Sequence, residues 1–199
     1  MMLPLGNYSY EIRSHGGLIA IEEGRFDSTM IAASRRSADG LNRYRLEAAL
    51  DAECRVLSVA LSYSSSLFTR KASYEVVDDN LRGRISGLAG RNEIVVKLGR
   101  LREVDAAGFL IFRALLINHV RVRGDDRWTG RVAVIDANTL AAASVKQNCA
   151  TRDDSKRHWL YEPRMGDTEQ IELDDAGRII RWFDNRGVTA ELAIGDTCR

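Results

Sequence analysis

Apolar and polar residues alternate along the first hundred positions, in segments broken by turn residues at intervals of about 10 to 15, the pattern of an antiparallel meander. Tyr8, Tyr10 and Ile12 alternate with Ser9, Glu11 and Arg13 ahead of Gly16-Gly17. Strands are predicted near residues 18–23 and, more weakly, 30–35, and Asp39-Gly40 favours a hairpin because both residues tolerate positive φ. The alternation is clearest where Tyr44, Leu46, Ala48 and Leu50 interleave with Arg43, Arg45, Glu47 and Ala49. Leu57, Val59, Leu61 and Tyr63 repeat it, and beyond Ser64-Ser65-Ser66 the residues Phe68, Ala72, Tyr74 and Val76 share a face with Arg70. After Asp78-Asp79-Asn80, residues 81–86 and 93–98 predict a further hairpin with its tip near residues 89–92.

The period changes at Asp105. Residues 106–118 have no strand alternation and few turn formers, which predicts a helix capped by Asp105. Its apolar residues lie on nearly every side, with Arg113 its single charge, and a helix apolar all round must be enclosed. At about 20 Å it is shorter than a bilayer crossing but matches the width of a curled sheet. Strands resume over residues 129–136, less regularly over 141–149, and over 157–161 with Trp159 and Tyr161 in phase. Three more follow at 168–173, 178–184 and 188–194. Roughly a dozen strands exceed what one flat open sheet usually carries without curling. The expected fold is therefore mainly β. One antiparallel curved sheet, or incomplete barrel, wraps a single apolar helix at about 105–118 and forms one half-barrel domain over residues 1–199.

Composition adds mostly exclusions. With 45% hydrophobic and 29% charged residues the chain is an ordinary globular one. Lys plus Arg (29) against Asp plus Glu (28) leaves +1, so no global field attracts nucleic acid, and none is expected as a partner. The local basic run Arg82, Arg84, Arg91, Lys97, Arg100 and Arg102 reads first as a solvated strand face and second as a phosphate-binding stripe. Cys54, Cys149 and Cys198 are odd in number and lack zinc spacing, so they read as reduced and structural. No metal or cofactor is expected. The first six residues lack a basic and apolar leader pattern, which favours a cytoplasmic location, or a periplasmic one if a leader has been removed. No apolar run reaches the roughly 20 residues of a spanning helix.

The meander over residues 44–98, the helix over 106–118 and the closing cadence Ile171-Glu172-Leu173-Asp174-Asp175-Ala176-Gly177-Arg178-Ile179-Ile180 together resemble the half-barrel superfamily of the lipoprotein-localisation factors LolA and LolB. Bacterial proteins grouped as glycolipid-binding share that look. The resemblance covers most of the chain and rests on pattern rather than on signature residues. It implies a concave sheet face that holds an acyl chain or another hydrophobic ligand. The chain departs from the lipoprotein carriers in lacking a signal peptide and a lipobox cysteine, so only the hydrophobic cavity carries over.

Candidate residues follow from phase. Arg70 falls on the inward face, where its guanidinium either anchors an anionic head group, forms an internal salt bridge, or reaches water at a strand end. Arg113 has the same choices, and its stem can also snorkel past apolar neighbours. Tyr44, Tyr63, Phe68, Tyr74, Trp159 and Tyr161 line either a ligand pocket or a plain core. The leading function is thus a binding protein for a lipid-like or other hydrophobic small molecule. One alternative is a non-metal enzyme in the same cavity, for which His119, near Asp125 and Asp126 in sequence, and Asp136 are the weak catalytic candidates. In the last helical turn His119 is equally explained by the helix dipole. A structural or protein-interaction module is the other alternative, and the sequence leaves the oligomeric state open.

Overall fold

Residues 6–87 and 90–193 are described by a computed structural model, the side chains of residues 90–92 excepted. Among them lie fifteen strands: β1 (Gly6–Ser14), β2 (Gly17–Phe26), β3 (Met30–Ser37), β4 (Arg43–Leu50), β5 (Val56–Ser64), β6 (Thr69–Val77), β7 (Asn80–Gly87), β8 (Gly90–Lys97), β9 (Val104–Ala106), β10 (Arg127–Ile135), β11 (Ala142–Thr151), β12 (His158–Arg164), β13 (Asp167–Leu173), β14 (Ile179–Asp184) and β15 (Val188–Leu192). A single helix, α1 (Leu110–Val122), separates β9 from β10. The expected hairpin tip at 89–92 falls largely outside the described side chains, and Ile194, Cys198 and residues 1–5 lie outside the described residues altogether.

All fifteen strands form one curved sheet in the order β8-β7-β6-β5-β4-β3-β2-β1-β15-β14-β13-β12-β11-β10-β9, open at β8 and β9. Each half is a meander, and the halves join where β1 pairs with β15. The alternation read from the sequence is mostly the inward and outward alternation of the strands; Leu57 is an exception, because a bulge opposite Ala49 and Leu50 turns it outward and buries Val56 in its place. In β4, Leu46, Ala48 and Leu50 are buried while Arg45, Glu47 and Ala49 face solvent. Every neighbouring pair is antiparallel except β9 and β10, which run parallel because α1 carries the chain back between them.

The helix occupies the concavity, with ten of its thirteen residues buried, Ile117 and Val120 fully. Room for it comes partly from glycines on the inner face. Gly83 lies opposite Tyr74 and Gly24 opposite Tyr8, and each tyrosine ring covers its glycine so closely that an added Cβ would sit 2.1 Å and 2.5 Å from ring carbons.

The helix begins later than the sequence suggested, and Asp105 is not its cap. Residues 104–106 form β9 instead, and Asp105 turns its carboxylate to Arg113. Phe109 holds the N-cap position without a side-chain bond. Ala107 (φ 53°) and Gly108 (φ 67°) reverse the chain there in two successive left-handed conformations, the second of which glycine adopts freely. The cap comes from far away in sequence: Leu110 N–H donates to Glu22 Oε1 at 3.0 Å.

Candidate functional site

Antiparallel pairing puts the helix N-terminus, the β3–β4, β5–β6, β10–β11 and β12–β13 turns at one end of the half-barrel, and two buried ion clusters organise that end. In the first, Glu22 lies in phase with Phe26 on β2 and is wholly buried. Its Oε2 accepts from Arg35 Nη2 at 2.5 Å, and Arg35 also donates to the carbonyls of Ala107 (3.3 Å) and Gly108 (2.6 Å). Burial pushes the Glu22 carboxyl up, and the charge and hydrogen bonds of Arg35 offset only part of that. This cluster fixes the chain reversal into α1.

The second cluster centres on Arg113. Its Nη1 donates to Asp105 Oδ1 at 2.5 Å, and its Nε and Nη2 donate to Glu169 at 3.3 Å each. Trp182 Nε1 donates to Glu169 at 2.8 Å, and the Tyr161 ring lies 5.5 Å below the guanidinium. Burial opposes the charge on Arg113, but Asp105 and Glu169 outweigh it and hold its pKa above the usual value. Burial pushes the Asp105 carboxyl up and the charge of Glu169 adds to that, while Arg113, shared between the two carboxylates, offsets only part of the rise. Tyr161 Oη donates to Gln147 Oε1 at 2.5 Å. The other end of that amide is only partly used: Gln147 Nε2 lies close enough to Asp105 to draw its carboxyl down, yet without full hydrogen-bond geometry, and at least one of its two N–H groups has no partner among the described residues.

A cleft of about 500 Å³ opens over this cluster. Asp105, Arg113 and Gln147 form its polar floor, Ala141, Ala143 and Val145 an apolar wall, and Asn138 and Arg164 part of its rim. Gln147 is 1% exposed, so its free amide N–H can bond only to something inside the cleft.

The predicted site residues divide between this end and the core. Arg70 donates to Asn138 O at 2.9 Å, lies 4.8 Å over the Phe68 ring and reaches water at the end of its strand. Tyr44 and Tyr63 stack at 4.8 Å, and Phe68 meets Tyr63 edge-on at 5.6 Å. These four residues flank the cleft and do not line it. Tyr74 is buried, and its hydroxyl donates to Leu140 O at 2.6 Å, pinning the β10–β11 turn; burial raises its phenol to about 12. Trp159 is core at the opposite end, its Nε1 donating to Lys156 O at 2.9 Å. Asp136 lines the cleft, but its Oδ1 accepts from the N–H groups of Asn138 and Thr139 and so shapes the turn.

His119 lies at the C-terminal end of α1 beside a second cleft of about 540 Å³. Its partner is Glu103 at 2.6 Å from Nδ1, while Nε2 meets Glu53 O at 3.1 Å; Asp125 and Asp126 pair with Arg123 and Lys156 instead. A carboxylate on one side and a carbonyl on the other both accept hydrogen bonds, which favours the protonated imidazole, in which both ring nitrogens donate, over the neutral base. Burial works against that charge, and the bond to Glu103 outweighs it, leaving the pKa raised. Cys54 and Cys149 are buried free thiols, and burial raises Cys149 to about 12. Arg82, Arg84 and Lys97 are exposed, and Arg102 pairs with Asp79. Among the described residues no group of three or more His, Cys, Asp or Glu is placed to hold a metal, and no helix is long and apolar enough to cross a membrane.

Glu22, Arg35, Gln147 and Glu169 were not among the expected site residues, and Asp105 was expected only as a helix cap. A signal existed for three of them. Glu22 is in step with Phe26, Gln147 with Cys149, and Glu169 with Ile171 and Leu173, so each is a polar residue on an inward face.

Fold and site together define an open β half-barrel plugged by a helix, with a small amphipathic cleft where the helix begins. No family model matches the sequence, and no curated protein matches it. The chain is similar in structure to a DUF1089 family protein from Pseudomonas aeruginosa, with a TM-score of 0.60 at 20% identity over 81% of this chain and 88% of that one. At that identity the likeness is one of fold.

Proposed function

We propose that the protein binds a lipid-like or other apolar small molecule that carries an uncharged hydrogen-bonding head, in the cleft at the N-terminal end of α1. The observation that carries this is the buried amide of Gln147 on the floor of the cleft beside an apolar wall: its Nε2 carries two N–H groups and faces only Asp105, without full hydrogen-bond geometry, so at least one N–H has no partner among the described residues. A buried donor without a partner costs about 1–3 kcal/mol, which a ligand acceptor would recover. The cleft falls in the size range of small-molecule sites, about 300–1,000 Å³. The half-barrel carriers that the sequence resembles hold ligands in the concave face. Here α1 takes that place, so the ligand enters only at the end. Arg113 is already bonded to two carboxylates, so an anionic head gains little from it and a hydroxyl or ester head is preferred.

Thermal shift with monolaurin and with laurate, both below their micellar concentrations, tests this. A ligand bound to the native state alone must raise the melting temperature. Monolaurin is expected to stabilise the protein more than laurate, and Ala143→Phe, which fills the wall of the cleft, is expected to abolish the shift. No shift with either probe, or an undiminished shift in Ala143→Phe, would overturn the assignment.

A further inference from the structure

The two ends of the half-barrel expose different chemistry. Turns alternate between the ends along the meander, which places residues 27–29, 51–55, 78–79, 123–126, 152–157 and 174–178 at the end away from the helix N-terminus. All four Asp-Asp pairs of the chain (Asp78-Asp79, Asp125-Asp126, Asp153-Asp154, Asp174-Asp175) fall at that end. Among the described residues the two most exposed large apolar side chains, Met165 and Leu67, lie at turn tips of the cleft end, while the most exposed at the other end is Val122 at 57%. Leu41 in the β3–β4 turn, Leu67 in the β5–β6 turn and Met165 in the β12–β13 turn are 57%, 88% and 99% exposed.

Between Leu41 and Leu67 the outer face of the sheet forms a shallow basic groove. Arg43, Arg45 and Lys71 border it together with the hydroxyls of Ser62, Ser64 and Thr69, and no carboxylate does. None of the three cations has a carboxylate partner among the described residues. Arg43 also lies directly across from Arg36 on β3, a like-charge pair that costs stability unless an anion joins it. Of the acids at this end, Asp39, Asp136 and Asp184 are engaged by their own turns and Asp167 pairs with Arg164, while Glu47, two residues along β4 from Arg45 on the outer face, forms no ion pair with any of the three cations.

We infer that this end of the half-barrel docks onto an anionic lipid bilayer. Leu41, Leu67 and Met165 enter the interface, and Arg43, Arg45 and Lys71 meet the lipid phosphates. Apolar side chains paired with unneutralised cations match a surface that offers both hydrocarbon and negative charge. The acidic opposite end would turn away from the same surface. Docking in this orientation presents the cleft mouth to the membrane, but it does not require the cleft to hold a ligand.

Sedimentation with phosphatidylcholine vesicles, and with vesicles of mixed phosphatidylcholine and phosphatidylglycerol, tests the inference. The protein is expected to sediment with the mixed vesicles and to be released by salt. The triple variant Leu41→Ser, Leu67→Ser, Met165→Ser is expected to bind them at least about tenfold more weakly. Replacing Arg43, Arg45 and Lys71 with Ser should weaken binding about a hundredfold, since each cation near such a surface contributes close to a factor of five. Both variants change exposed residues, so melting temperature checks that each is folded. Absence of vesicle binding by the wild type, equal binding to the uncharged vesicles, or full binding by either folded variant would overturn the inference. The monolaurin shift should survive in both variants, so loss of membrane docking and loss of ligand binding are separately visible.

Discussion

Arg113→Met removes the guanidinium from between Asp105 and Glu169 while keeping an unbranched stem to fill the helix interface. Both carboxyl groups are then enclosed without a cation, since their side chains are only 6% and 8% exposed. Breaking a buried pair in this way costs about 3–5 kcal/mol. Protonation sets a ceiling for each acid. Neutralising an aspartate of ordinary pKa near 3.9 costs about 4 kcal/mol at pH 7 and about 1.5 kcal/mol at pH 5, at 1.36 kcal/mol per unit. A carboxyl whose folded pKa is raised binds more protons folded than unfolded, so it adds stability as pH falls toward its ordinary pKa. Urea denaturation of the variant should therefore show a loss of about 3–5 kcal/mol at pH 7 with an unchanged m-value, shrinking by about 2–3 kcal/mol at pH 5. A loss below about 1 kcal/mol at pH 7, or the same loss at both pH values, would refute the view that Arg113 neutralises two buried acids.

Gly83→Ala drives a methyl group into the Tyr74 ring, so urea denaturation should register about 1–3 kcal/mol of destabilisation, and Gly83→Ala with Tyr74→Leu should recover part of it. The raised pKa of His119 makes its contribution complete below the ordinary histidine value near 6.5 and lost as pH rises through the folded value. Melting temperature measured from pH 6 to pH 9 should therefore fall more in the wild type than in His119→Gln, and parallel slopes would mean that His119 is not held as a cation.

The curled sheet was legible because burial on one face imposes a period of two on nearly every strand, and the plug because residues from Leu110 to Ile117, Arg113 excepted, are apolar. The one strand missed was β9, three residues long and adjacent to the helix, where local pattern cannot separate a bridge from a first turn. Asp105 fits the sequence pattern of a cap, yet its carboxylate is engaged by Arg113, eight residues on. The site was half legible. Arg113 stood out as the lone charge on the helix, while its second partner, Glu169, lies 56 residues away and only their folding together shows that one guanidinium serves two acids. Glu22 was hidden for the same reason, since the N–H it caps is 88 residues distant. Inward aromatics were the weakest guide. Tyr74 and Trp159 satisfy their polar atoms on backbone carbonyls and belong to the core.

The central claim is that the helix leaves a ligand cleft at its N-terminal end. Native mass spectrometry of the purified protein, before and after organic extraction and alongside Ala143→Phe, tests it most directly. The account predicts an added mass of a small amphipathic molecule that extraction removes, that monolaurin restores, and that Ala143→Phe cannot take up. A protein that carries no added mass and gains none from monolaurin, or an Ala143→Phe variant loaded as fully as the wild type, would contradict it.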